Sequence, residues 1–497
     1  MIEGENLRKK LLIAAVLATL FTNPVEASNE VTVPEGTENQ LSSAINRGTI
    51  NAEKQFNYIH YLGEYMPPNY CISYYGMASL VKDTGKYAQL DAHIPGNYVD
   101  FTNDGIINMH SKDIVREYEA QLDIAEDTSR KYDAFIGWGM LAGKNSKIVN
   151  NGEINMYFDH TNTNANYSVM MRPMYANEYS AMINNGKIIA TGKGNLGAEV
   201  RGITTGHGHM TMENNGTIYL DVERSFLSRA FLSLGDGGRV VNSGTIYNKA
   251  TCTTFGMLAT TGTDLVNTGK VTVISTGQNP PKVPGYHSDF TFETTGAYGM
   301  TSSPKKSGGD GRILNTGKLI VQLQGNKTSS QKAIAAGMMV MNARNDSEVL
   351  TLENIGVIEV SSTIKPNKEN NYLVRSSEIA INALMEKWGN SNVEILNWAT
   401  TLRDFGSKKD FIQAQNCTID FSNTNLILRE DKNYKLGTVY KISPETLIAP
   451  LNGKSLADSK IVVTGFDSIT FSAENPNLKV SVEKNSDGSY NVSLISK

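Results

Sequence analysis

An Asn-x-Gly tripeptide with Ile, Val or Leu two residues after the glycine recurs nine times in this chain. The copies begin at Asn46, Asn103, Asn150, Asn184, Asn214, Asn242, Asn267, Asn315 and Asn354. Neighbouring copies stand 25 to 57 residues apart, and two alternating apolar positions usually precede each one. A turn signal repeated at that period between short strand patterns belongs to a chain wound in stacked coils, with insertions where the period lengthens.

One coil can be read from two segments. GMLATTGTDLVNTG, residues 256–269, and GMLAGKNSKIVNNG, residues 139–152, share Gly-Met-Leu-Ala, an apolar-Val-Asn step and a closing glycine in one register. Asn tolerates left-handed backbone and Gly accepts positive φ, so the motif is expected to mark a sharp corner between two strands. Coils stacked about 4.8 Å apart would align the Asn side chains in an amide ladder and the following Ile, Val and Leu in an inward column. That column alone cannot hold a coil against its backbone entropy, so Met257, Ala259, Leu265, Val271 and Val273 are also expected to face inward. The fold class is all-β, a right-handed parallel β-helix with loop and short helical insertions and a strand-rich C-terminal cap.

The sequence divides into residues 1–27, 28–100 (cap and first coils), 101–360 (β-helix repeats) and 361–497 (final coils and cap). Residues 1–27 read as a secretory signal: Arg8, Lys9 and Lys10 precede an apolar run from Leu11 to Phe21, and Ala27 ends a small-residue cleavage site. The run, about eleven residues, falls short of the roughly 20 that a spanning helix needs, and no transmembrane segment is expected in the mature chain. A net charge of −4 gives no electrostatic case for nucleic acid. Cys71, Cys252 and Cys417 are too far apart in coil register to pair, so they read as buried thiols.

The insertions carry their own patterns. Tyr58, Tyr61, Tyr65, Tyr70, Tyr74 and Tyr75 crowd a short stretch, either as rings capping the first coils or as a partner-binding surface for carbohydrate or protein. Ile114, Tyr118 and Leu122 recur at helical spacing within residues 111–131, predicting a short amphipathic helix. A second short helix is expected near Glu378 to Lys387. The Pro- and Gly-containing stretch from Ser275 to Gly311 reads as an external loop.

Chemistry is harder to find. A β-helix polysaccharide lyase or hydrolase needs carboxylates converging from neighbouring coils, and no acidic position repeats. Asp236 and Asp310 fit turns, and Gly308 to Gly311 lacks the calcium nonapeptide pattern because Ile313 stands where an Asp is required. His207 and His209 in a glycine-rich turn read as exposed and unliganded rather than metal-bound. No catalytic, cofactor-binding or metal-ligating residue is assigned.

Over roughly residues 41 to 360 the coils resemble the passenger region of bacterial autotransporters. Tyr434 to Ile442, Phe466 to Ile469, Leu478 to Val482 and Tyr490 to Leu494 are similar to the strand-rich module that closes such passengers and templates their folding. The ten-residue alternating strands of a translocator barrel are missing from the chain, which departs from the family pattern. The resemblance implies an exported protein at the cell surface or outside the cell, or in the periplasm if no barrel carries it. It also implies a non-enzymatic adhesin or self-association module whose partners are a host surface, matrix or glycan, or further copies of itself. The alternatives are a pectin-lyase-like enzyme acting on polysaccharide and an inert remnant.

Overall fold

The computed structural model describes residues 42–52, 57–58, 71–82, 93–112, 134–162, 168–206, 208–234, 237–259, 263–277, 294–303, 311–325, 332–341, 349–364, 373–383, 390–402, 410–430, 434–451 and 455–497. The chain is a right-handed parallel β-helix whose coils each contribute strands to three columns. The first column holds the strands that end in the motif Asn, such as Lys147–Asn150, Ala181–Asn184 and Met210–Asn214. The second holds those that follow the motif Gly, such as Ile106–Lys112 and Glu153–Asp159. The third holds Cys71–Ala78, Ala134–Leu141, Ser168–Ala176, Thr253–Ala259, Thr294–Ser302 and Lys332–Val340. In two coils the second and third strands run through the corner as one, Lys187–Thr205 and Thr217–Ser233.

The anticipated amide ladder is present. Each motif Asn from Asn46 to Asn315 donates its Nδ2 to the Oδ1 of the next, at 2.7 to 2.8 Å. Asn354 ends the series by donating to the Ala399 carbonyl at 3.0 Å. All nine are buried, and each main-chain carbonyl from Asn103 to Asn315 accepts two N–H groups of the following coil. A second ladder, on the exposed residue between Asn and Gly, donates in the opposite direction. Ser243 donates to Asn215, Asn215 to Asn185, Asn185 to Asn151 and Asn151 to Asp104.

The motif glycine serves a different purpose from the one its type suggests. None of the nine lies in the left-handed region, and neither does any motif Asn, which corrects the expected left-handed corner. What excludes a side chain is close stacking. A Cβ at Gly105, Gly152, Gly186, Gly216, Gly244, Gly269, Gly317 or Gly356 would overlap the carbonyl oxygen of the motif glycine one coil before it. Gly48, which begins the series, has open space there.

A companion glycine sits in the third column. Gly76, Gly139, Gly256, Gly299 and Gly337 each precede a methionine of one inward row, formed by Met77, Met140, Met257, Met300 and Met338 with Met174, Ile203 and Phe231 between them. A Cβ on Gly76, Gly139, Gly256 or Gly337 would strike the side chain of Ile107, Ile154, Val271 or Ile358, which stands two residues after the next motif glycine. The Asn-x-Gly-x-Ile and Gly-Met patterns are thus two halves of one packing device. The aliphatic residue of one strand fills the notch left by glycine on another. Met257, Ala259, Leu265, Val271 and Val273 all face inward as expected and are fully buried.

Two expectations fail. The strand Leu373–Ile381 occupies the start of the helix placed at Glu378 to Lys387. It pairs residue for residue with Lys332–Val340, so sheet pairing overrides helical propensity there. Thr294–Ser302 is a third-column strand inside the stretch read as an external loop, because Gly299-Met300 takes the register of Gly256-Met257 and Gly337-Met338. The helix within residues 111–131 falls almost wholly outside the described residues, as does the signal segment.

The winding continues beyond the last motif. Ser391–Thr401, Cys417–Asp420 and Ile461–Thr464 extend the first column, and Asp410–Ala414 and Ile448–Pro450 the third. Tyr440–Ile442, Tyr490–Ser496 and Leu478–Lys484 then form an antiparallel sheet, built from the segments singled out in the sequence as a closing module. Among the described residues no helix is long and apolar enough to cross a membrane.

Candidate functional site

The turn that carries the chain from the third column into the first stacks Tyr98, Asn145, Tyr179, His209 and Gly237 in one row. Register follows from the pairs Asp100 with Lys147, Lys147 with Ala181, Ala181 with Thr211 and Met210 with Gly238. This is where the left-handed corner lies, with φ of 56° at Tyr98, 54° at Asn145, 58° at Tyr179 and 73° at Gly237. The rotated backbone aims each amide along the stack. Tyr98, Asn145 and Tyr179 donate their N–H groups to the carbonyls of Lys144, Glu178 and His209 at 2.8 to 2.9 Å.

Asn and Gly suit such a corner, whereas a bulky side chain there costs about 1–2 kcal/mol. The two tyrosines nonetheless hold their rings out, at 42 % and 60 % exposure. The Tyr179 ring lies 6.0 Å from that of His209, tilted by 39°. Beside this row runs an open groove of about 580 Å³ lined by Asp100, Asn145, Lys147, Tyr179, His209 and Thr211, among others.

The floor of the groove is tied down by hydrogen bonds to the main chain. Ser146 and Ser180 are buried, and their hydroxyls accept the N–H of the equivalent residue one coil earlier, Val99 and Ser146. Ser180 in turn directs its N–H at the Met210 sulfur, 3.3 Å away. These two hydroxyls close main-chain bonds, and the groove offers a carboxamide, an imidazole, a ring face and the Thr211 hydroxyl to a ligand, beside the charged Asp100 and Lys147.

Elsewhere Ser111 contacts the His160 Nε2, but both side chains are closed to solvent. Glu199 pairs with Arg201 at 2.6 Å and with Arg229, again in a buried setting. Among the described residues no three His, Cys, Asp or Glu side chains converge as metal ligands would. His209 is exposed, and His207, Asp236 and Asp310 lie outside the described residues. Cys252 and Cys417 are free and buried, and burial pushes both thiols up to about 12.

The tyrosines singled out from sequence are not gathered into this groove. Tyr58 lies in the short strand Asn57–Tyr58, antiparallel to Cys71–Ala78, which contains Tyr74 and Tyr75. Tyr75 is only 9 % exposed and belongs to a cluster with Trp138 and Tyr175 on the outer side of the third column. Tyr61, Tyr65 and Tyr70 fall outside the described residues. Tyr98 and Tyr179 were missed, although each stands five residues before a motif Asn, as do Asn145, His209 and Gly237. Aligning the chain on its asparagines brings that row out.

No curated protein and no solved structure matches this chain. Residues 96–282, which contain the whole tyrosine row, match the family model of the BigA third pectate lyase-like domain, so over that span the chain is similar to a passenger-type β-helix domain.

Proposed function

We propose that this chain is an exported surface protein that acts by adhesion, without catalysis, through the groove beside Tyr98 and Tyr179. Residues 1–27 direct export and are removed after Ala27. The similarity of residues 96–282 to a passenger-type domain supports surface display, and fold likeness to pectate lyases does not carry their chemistry with it. The observation that carries the adhesive reading is the pair of strained, outward-facing tyrosines. Strain kept at an exposed aromatic position contributes nothing to the core and points to use at the surface.

The test measures two quantities on one preparation of the purified chain. Retention on layers of extracellular matrix and of cultured cells is expected, with no release of reducing ends or unsaturated products from plant and bacterial polysaccharides. Product formation that disappears on substitution of groove residues would replace adhesion with catalysis, and absence of retention on every surface would remove the adhesive reading.

A further inference from the structure

The row beside the groove runs along the axis of the stack. At about 4.8 Å per coil, Tyr98 and Tyr179 stand about 9.6 Å apart, and the row from Tyr98 to Gly237 spans about 19 Å. It therefore suits a linear ligand laid across successive coils better than a compact molecule. Aromatic faces alternate along it with a carboxamide at Asn145, followed by the His209 imidazole, while Gly237 withdraws any side chain at the far end.

The charges narrow the ligand class. Asp100 and Lys147 occupy paired register positions on adjacent strands and both line the groove, so their opposite charges offset. Lys144 and Glu178, the residues just before Asn145 and Tyr179, pair with each other at 2.9 Å. Arg239 follows Thr211 in the same register and stands opposite Asp264 of the next coil, so the row balances its charges by position and favours neither a polyanion nor a polycation. Exposed ring faces interleaved with neutral hydrogen-bonding groups match the alternation of apolar C–H faces and hydroxyls on a sugar chain.

We infer that the groove, together with the exposed Tyr98 ring next to its lining residue Val99, binds a neutral, linear oligosaccharide, with Tyr98 and Tyr179 stacking on sugar rings two coils apart and Asn145 hydrogen-bonding between them. This rests on the adhesive reading and names its ligand class.

Calorimetric titration of the full chain with cellohexaose, laminarihexaose and chitohexaose tests it, with hexagalacturonic acid as the acidic counterpart. At least one neutral hexamer should bind, with an affinity little changed by salt. Tyr179→Ala should weaken binding about tenfold or more, and Tyr179→Phe should keep it within about threefold. Matched thermal melting of each variant separates lost binding from lost folding.

Three results would overturn the inference: no binding of any neutral hexamer, an unchanged affinity in Tyr179→Ala, or tighter, salt-sensitive binding of the acidic hexamer. The two readings fail separately. Retention on matrix that no neutral hexamer displaces removes the oligosaccharide and leaves adhesion standing. Hexamer binding without retention on matrix or cells does the reverse.

Discussion

A single methyl group added at Gly186 would overlap the carbonyl oxygen of Gly152, whereas one added at Gly48 would meet open space. Gly186→Ala is therefore expected to destabilise the chain by about 3 kcal/mol or more, because backbone must shift to relieve the clash. Gly48→Ala should stay within about 0.5 kcal/mol of wild type. Equal chemical-denaturation midpoints for the two would argue against close stacking as the reason for the glycine. At Tyr179 the balance runs the other way. Asn adopts the left-handed corner with less strain, as Asn145 does one coil earlier. Tyr179→Asn should melt no lower than wild type while losing retention on matrix, and a clear loss of stability would mean that the ring serves the fold. The buried thiols set a pH dependence. Burial raises Cys252 and Cys417 from 9.0 to about 12, so their contribution is fully present below pH 9.0 and is lost as pH rises toward 12. Stability measured across that window should fall more steeply for wild type than for Cys252→Ala/Cys417→Ala.

At the scale of the coil, two glycine patterns and one asparagine ladder set the register. The ladder stops where a strand slips. Between Leu352 and Asn354 the pairing shifts, and Asn354 comes opposite Trp398. There the indole Nε1 donates to Glu378 at 2.6 Å and the ring packs edge-on to Phe411. Trp398→Ala should cost about 3–5 kcal/mol, the range for emptying a large buried aromatic site. A loss under about 1 kcal/mol in denaturant titration would show that the coils beyond Asn354 do not depend on this plug. Asn-x-Gly-x-Ile made the first and second columns legible from sequence, since its spacing marks each passage through a corner. The third column was legible only where Gly-Met-Leu-Ala repeated. Thr294–Ser302 has few aliphatic residues and reads as loop in sequence, and the end of Leu373–Ile381 reads as the start of a helix, because pairing with neighbouring coils cannot be seen in a local window. The coils after Asn354 keep their aliphatic rows, Val393 with Ile419 and Ile379 with Ile412 and Ile448, without the turn signature that advertises them.

Among the described residues strand pairing joins each coil to the next, so stability accumulates along the stack and side chains on the corners are free to vary. Those corners are where a binding surface can be written without altering the core. The candidate site is legible only through the repeat: Tyr98 and Tyr179 are separated by 81 positions of sequence and share a row, two coils apart, because each stands five residues before a motif Asn. The crowded tyrosines near the start of the chain are the more conspicuous in sequence, and Tyr75 is packed beside Trp138 on the outer side of the third column. We propose that this strained corner, and not the rod as a whole, is what the protein presents to a surface. Retention on matrix by the wild-type chain and by Tyr98→Asn/Tyr179→Asn, compared at equal thermal stability, addresses it most directly. Loss of most retention in the double variant is the predicted result, and retention equal to wild type would contradict the claim.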